Sequence, residues 1–152
     1  METQMNLNEK LTEHFTLREM VQSATAMRLK IVNMPKPEVV ECLRALCVNV
    51  LEPLRQRFGV IRITSGYRCE ALNKAVGGVK NSQHTKGEAA DIHCSSKVQA
   101  YKMACYAQEH LVFDQLLVER VMDNECCWIH VSYVVETASR RNRRSMKTKL
   151  LK

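Results

Sequence analysis

The sequence predicts an α+β fold in which N-terminal helices pack on a small, largely antiparallel sheet. Apolar residues recur at helical spacing between positions 38 and 58, and short, alternating β-branched runs follow from position 60 onward. The 152 residues, 45% apolar and 26% charged, are typical of one soluble globular domain. No stretch approaches the roughly 18–20 apolar residues that a membrane-spanning helix needs.

The helices are indicated by capping and spacing. Thr16 followed by Glu19 fits a capping box and predicts a short helix that starts at Leu17. The next helix is predicted over 38–58, with a kink or break at Pro53. The other predicted elements, in chain order, are a strand at 60–64, a short helix at 70–76, a strand at 89–94, a helix at 98–110, and strands at 113–119 and 128–135.

The positive charge is concentrated at the C-terminus. Of the 23 basic residues, seven lie within 140–152, where there is no acidic residue, and they account for the whole net charge of +7. We therefore predict a neutral domain over 1–139 and a basic, flexible tail over 140–152. Because the domain is neutral and only 5% aromatic, nucleic acid is not an expected partner, and a salt-sensitive contact through the tail is the minor alternative.

The cysteines and the N-terminus indicate the compartment. Seven cysteines, an odd number without any CxxC spacing, match no disulfide framework or zinc knuckle and fit a reducing environment. The first fifteen residues are polar and do not resemble a secretory signal. We expect a protein that is cytoplasmic as synthesised.

Two histidines and one aspartate form a candidate ligand set. His84 and Asp91 bracket a glycine-containing turn that leads into a strand, and His130 lies in a later strand. Catalytic zinc sites use three protein ligands and leave one position for water. Spacing alone does not distinguish such a site from ordinary surface or core histidines.

Three motifs at these positions resemble a known family. They are SGYR at 65–68, S-x-H-x-x-G-x-A-x-D at 82–91 and W-x-H at 128–130. Together they resemble the zinc D-Ala-D-Ala carboxypeptidase family of metallopeptidases, in its compact, single-domain, phage-type branch, over roughly residues 11–135. The resemblance implies the fold shared by hedgehog domains and DD-peptidases.

The resemblance also implies site residues. The implied Zn²⁺ ligands are His84, Asp91 and His130. Arg68 matches the catalytic arginine that binds a substrate carboxylate or polarises the scissile carbonyl, a role that suits a guanidinium. Ser82 is expected to hydrogen-bond the substrate, with a loop cap as the alternative role. Trp128 is a further candidate substrate-binding residue that would line the groove, with core packing as the alternative. His93, two residues after Asp91, is an alternative ligand that the motif does not favour.

The general base is the point of departure from the family pattern. Better-known members carry an acidic residue three positions before the last histidine, where this sequence has Cys127. Glu119, Asp123 and Glu125 are the nearby acids. We choose Glu119, because it ends a strand that should pair with the strand that carries His130.

These inferences predict a zinc metallopeptidase that cleaves peptidoglycan stem peptides. The motifs leave open a D-Ala-D-Ala carboxypeptidase or a cross-link endopeptidase, including a phage-derived lytic enzyme that reaches the wall through lysis or a holin. The alternative is a catalytically weak, zinc-containing module that binds the cell wall or a protein, which Cys127 at the base position favours. The oligomeric state stays open.

Overall fold

A five-stranded sheet organises the part of the chain that the computed structural model describes, residues 5–121 and 126–151. The strands lie in the order β1-β2-β4-β3-β5, and each neighbouring pair is antiparallel except β3 and β5, which are parallel. Their bounds are β1 Arg62–Ser65, β2 Ala89–Cys94, β3 Gln115–Val121, β4 Cys127–Ser132 and β5 Ser145–Leu151. The predicted α+β class with a largely antiparallel sheet is confirmed.

Side-chain caps mark the start of the first and the last helix. Thr16 caps the first helix, and its side chain accepts a hydrogen bond of 3.3 Å from the backbone N–H of Glu19. Ser96 caps the last helix in the same way. The bounds are α1 Leu17–Val21, α2 Ala24–Leu29, α3 Pro37–Leu46, α4 Glu52–Phe58, α5 Glu70–Ala75 and α6 Lys97–His110.

The predicted irregularity near Pro53 is a π-helical segment. Residues Cys47–Leu51 form this wider turn and join α3 to α4 without a break in the chain of helical residues. Pro53 has no backbone N–H and therefore cannot donate the next hydrogen bond of a regular helix, which accounts for the change in pitch just before it. No helix among the described residues is long and apolar enough to span a membrane.

The two faces of the sheet have different roles. Ile92, Ile129 and Leu116 point to one face, where they are fully buried in a core shared with α3, α4 and α6. Because side chains alternate along a strand, the residues between them point to the opposite face. That second face carries Asp91 and His130, which lie directly opposite each other on β2 and β4.

The C-terminal segment, for which the sequence predicts a basic, flexible tail, contains a fifth strand. Residues 145–151 form β5, which pairs with β3 from Gln115↔Ser145 to Val121↔Leu151. This pairing satisfies backbone groups that β3 would otherwise leave at the sheet edge. The prediction relied on charge composition, which says little about a strand whose stability comes from backbone pairing.

Candidate metal centre and its cleft

The three candidate ligands come from three adjoining elements. His84 lies on a short 3₁₀ turn, Gln83–Lys86, that precedes β2. Asp91 and His130 are cross-strand partners on β2 and β4. The turn ends at Gly87, whose φ of +71° belongs to the left-handed region that glycine adopts without strain. A Cβ at Gly87 would also collide with Val39 on α3.

The ligand atoms converge on one point. One side-chain atom from each of the three residues lies within 4.8 Å of those from the other two. Oδ1 of Asp91 is 2.9 Å from Nδ1 of His130 and 3.3 Å from Nε2 of His84. His84 is buried, and the other two side chains are 15% exposed, so the group opens to solvent on one side only. Two imidazoles and a carboxylate in this arrangement can hold a metal ion.

The imidazole of His84 is oriented by the backbone. Its Nδ1 atom lies 2.7 Å from the carbonyl oxygen of Gly66. Since a carbonyl oxygen can only accept, Nδ1 donates to it, which leaves Nε2 as the atom that would offer its lone pair to a bound metal ion. A β-bulge lies just before Gly66, since β1 gains one residue against β2 between Ile63 and Ser65, and β-bulges bend the strand that carries them.

The carboxyl group of Asp91 is held ionised. Burial opposes its charge, but hydrogen bonds with His130 and His84 outweigh this cost and hold the pKa of Asp91 well below its usual range. An ionised carboxylate between two imidazoles supplies negative charge to a bound cation.

Arg68 lies beside Asp91 in a fixed position. Its NH2 atom is 3.5 Å from Oδ2 of Asp91, the carboxylate oxygen that faces away from the histidines. Its Nε donates to Oγ of Ser65 at 3.0 Å, and NH1 donates to Oδ1 of Asn73 at 3.2 Å. Burial lowers the pKa of Arg68, while the charges of Asp91 and Glu119 oppose that shift. The structure thus brings Arg68 to the ligand cluster, as the motif implies.

A cleft of about 410 Å³ opens over the ligands. Arg68, Ser82 and Glu119 line it together with the three ligands. Ser82 caps the 3₁₀ turn, since its Oγ accepts a hydrogen bond of 3.2 Å from the backbone N–H of His84. Its hydroxyl therefore has a structural role and also borders the cleft.

Glu119 and Trp128 are neighbours on the open face of the sheet. They are cross-strand partners on β3 and β4. Each lies two residues along its strand from the pair Leu117 and His130, and therefore on the same face of the sheet. Glu119 lines the cleft. Trp128 is half-buried and has Glu119 as its cross-strand partner on β3 and His93 as its partner on β2. His93 is exposed and is not part of the converging group.

Cys127 is on the wrong face of the sheet for a general base. It is fully buried, opposite Cys94, and points into the core, whereas His130 points to the cleft. The two other acids considered for this role, Asp123 and Glu125, lie outside the described residues.

Some residues of the site were not predicted. Asn73 is buried and connects Arg68 to the loop before the 3₁₀ turn that carries His84, since its Nδ2 donates to the carbonyl oxygen of Val79 at 2.9 Å. Gln83, next to His84, donates to Asp114 at 3.1 Å. Both are amides without a motif signal of their own, so their roles depend on tertiary contacts.

Comparison with known proteins identifies the family. A search of curated proteins found no match. The family model described as Peptidase M15 matches residues 13–132, more than three quarters of the chain, and this stretch contains all three ligands, Arg68 and Glu119. The chain therefore belongs to the M15 peptidases, a family of the zinc D-Ala-D-Ala carboxypeptidase type.

Proposed function

We propose that the protein is a zinc-dependent peptidase that hydrolyses peptidoglycan stem peptides. The observation that carries this proposal is the convergence of His84, Asp91 and His130 at the base of a cleft that Arg68 and Glu119 also line. Membership of the M15 family supports both the metal and the peptide substrate. A bound zinc ion supplies a Lewis acid that polarises a peptide carbonyl and lowers the pKa of water.

Arg68 binds and orients the substrate. Its contacts with Ser65, Asn73 and Asp91 use three of the five N–H groups that a guanidinium offers. The remaining two are a match for a carboxylate, such as the free end of a stem peptide. Since the guanidinium is fixed on three sides, little side-chain entropy is lost when substrate binds.

Glu119 is the proposed general base. It takes a proton from the attacking water as the water oxygen bonds to the carbonyl carbon, and it returns that proton to the amine when the C–N bond breaks. Its position supports this role, because β3 pairs with β4 and so directs Glu119 to the face that carries His130. Ser82 and Trp128 border the same face and are the proposed contacts for the rest of the peptide.

The experiment is digestion of purified peptidoglycan and cross-linked muropeptides, with products identified by liquid chromatography and mass spectrometry. The wild type should cut when loaded with zinc, stop after chelation and recover when zinc is restored. Released D-Ala would indicate a carboxypeptidase, and separated cross-links an endopeptidase. His84→Ala should abolish cleavage, and His110→Ala, which changes an exposed histidine on α6, is the matched control.

A zinc-containing module that binds cell wall or a protein is the second candidate. The core position of Cys127 favours it, because the usual site of the base offers no carboxylate to the cleft. Zinc-loaded wild type that sediments with peptidoglycan and cuts none of these substrates would establish this candidate against the peptidase. The proposed site of synthesis is the cytoplasm, with release to the wall on lysis.

A further inference from the structure

Both ends of the turn that carries His84 are linked to the basic C-terminal segment, one end directly through Glu88 and the other through Asp114. We infer that residues 140–143, which we term the C-terminal strap, position His84 for metal binding by holding residues 83–88, which we term the metal-bearing turn. The inference rests on the proposed metal site. The strap lies beyond residue 132, where the family match ends, so it is not assigned by that match.

Arg143 holds the first end of the turn through Asp114. Its Nε donates to Oδ1 of Asp114 at 3.0 Å, and its NH2 donates to Oδ2 at 2.9 Å, the bidentate geometry of a strong charge-assisted pair. Oδ2 of Asp114 also accepts a hydrogen bond of 3.1 Å from Gln83, the residue before His84. The carboxylate is 4% exposed, so it depends on these donors for compensation of its charge.

Arg140 holds the second end of the turn through Glu88. Its two terminal nitrogens donate to the two carboxylate oxygens of Glu88 at 2.9 and 3.1 Å. The side chain of Glu88 is 4% exposed, as buried as that of Asp114. The backbone carbonyl of Glu88 accepts a hydrogen bond of 2.8 Å from Tyr133, which joins the turn to the residues that follow β4.

The turn and the strap are each fixed internally, so a contact at one end constrains the whole turn. The backbone N–H of Glu88 donates to the carbonyl of Gln83 at 3.0 Å, which closes the turn around His84. In the strap, the Asn142 amide donates to the carbonyl of Val134 and accepts from its N–H, both at 2.9 Å. Removal of either guanidinium would leave a buried carboxylate next to the turn without its arginine partner, and Asp114 would keep only the hydrogen bonds from Gln83 and from the backbone N–H of Arg143.

The test is zinc affinity, measured by competition with a chromophoric chelator on full-length Arg140→Gln, Arg143→Gln and Gln83→Ala. The matched control is Arg141→Gln, since Arg141 pairs with exposed Glu136 and does not contact the turn. We expect a loss of about 10–100-fold for each of Arg140→Gln, Arg143→Gln and Gln83→Ala, the range usual for residues that orient metal ligands. The control should keep the wild-type affinity.

A double-mutant cycle separates positioning from general stability. Gln83→Ala leaves the Arg143–Asp114 pair in place, so a fall in affinity with an unchanged melting temperature of the metal-free protein would show action through the turn. Arg143→Gln should add little in the Gln83→Ala background. The cobalt-substituted variants should also show altered visible spectra, which a purely structural arginine would not change.

Each outcome decides between the claims. Wild-type protein that binds no zinc would overturn the proposed metal site and this inference together. Wild-type protein that binds zinc, with affinity unchanged in Gln83→Ala and in the arginine variants, would overturn the strap alone. If Arg143→Gln does not fold, Gln83→Ala decides the matter by itself.

Discussion

The Nδ1 atom of His84 lies 2.7 Å from the carbonyl oxygen of Gly66, which fixes the tautomer and the direction of this imidazole. A Cβ at position 66 would overlap the carbonyl oxygen of Met20, so Gly66 is the residue that allows this close approach. Met20 also accepts a hydrogen bond from Tyr67 through the same carbonyl. The orientation of the candidate ligand His84 thus depends on a contact between the first helix and the end of β1.

Gly66→Ala should therefore weaken metal binding. The backbone must shift to admit the Cβ, which moves the acceptor away from His84, and we expect zinc affinity to fall about 10–100-fold. Isothermal titration calorimetry with zinc and a thermal unfolding scan of the metal-free protein check this. A variant with wild-type zinc affinity would contradict the role of this carbonyl.

Gly78→Ala should affect substrate binding and leave the metal in place. A Cβ at Gly78 would collide with the side-chain amide of Asn73 and come within 3.1 Å of NH1 of Arg68. We expect KM to rise at least tenfold with little change in zinc affinity, because Arg68 loses its fixed orientation. Steady-state kinetics beside the same zinc titration check this. Zinc loss without a change in KM would contradict it.

The Asp114 carboxyl should contribute to stability at neutral pH and lose that contribution in acid. Hydrogen bonds from Arg143 lower the pKa of Asp114, with burial acting in the opposite direction. A group with a lower pKa in the folded state stabilises the protein above its unfolded pKa of about 3.9, and the stabilisation disappears as the pH falls through the folded value.

Asp114→Asn is the corresponding variant. It should unfold about 1–3 kcal/mol more easily than wild type at pH 7, and the difference should shrink toward pH 3. Urea unfolding at a series of pH values measures this, with Glu109→Gln, an exposed acid, as the control. A difference that grows as the pH falls would contradict the sign.

The reactivity of the cysteines tests which residues of β2 face the core and which face the cleft. Burial raises the pKa of Cys94 to about 11 and that of Cys47 to about 12, so both thiols should resist iodoacetamide in the native protein. Cys105 on α6 is exposed and should react first. Mass spectrometry of native and urea-unfolded samples reads out each site. Rapid labelling of Cys94 would contradict the inward face of β2 and, with it, the outward position of Asp91.

Much of the fold follows from local sequence signals. The alternation in 89–94 predicts β2 with the observed bounds, and Thr16, followed by Glu19, marks the start of the first helix correctly. The motifs also point to the two histidines and the aspartate that the structure brings together, on the turn before β2 and within the paired strands β2 and β4. Whether these residues bind zinc stays a prediction.

The rest depends on contacts between residues far apart in the chain. β5 was not predicted, because its stability comes from pairing with β3 and its composition is that of a solvated tail. The strap arginines have partners, Glu88 and Asp114, that no local pattern connects to them. The inward position of Cys127 can be predicted locally, because side chains alternate along β4 and His130 points outward. The location of Glu119 in the cleft cannot, because it depends on the pairing of β3 with β4.

The most direct test of the account measures zinc content and peptide hydrolysis side by side in Glu119→Gln. The glutamine keeps the size of the side chain and removes its proton affinity, so we predict one zinc ion per chain and turnover at least about 100-fold below wild type. Asp123→Asn and Glu125→Gln are the matched controls and should keep wild-type turnover. Wild-type turnover in Glu119→Gln, or loss of turnover in either control instead, would contradict the assignment of the base to β3.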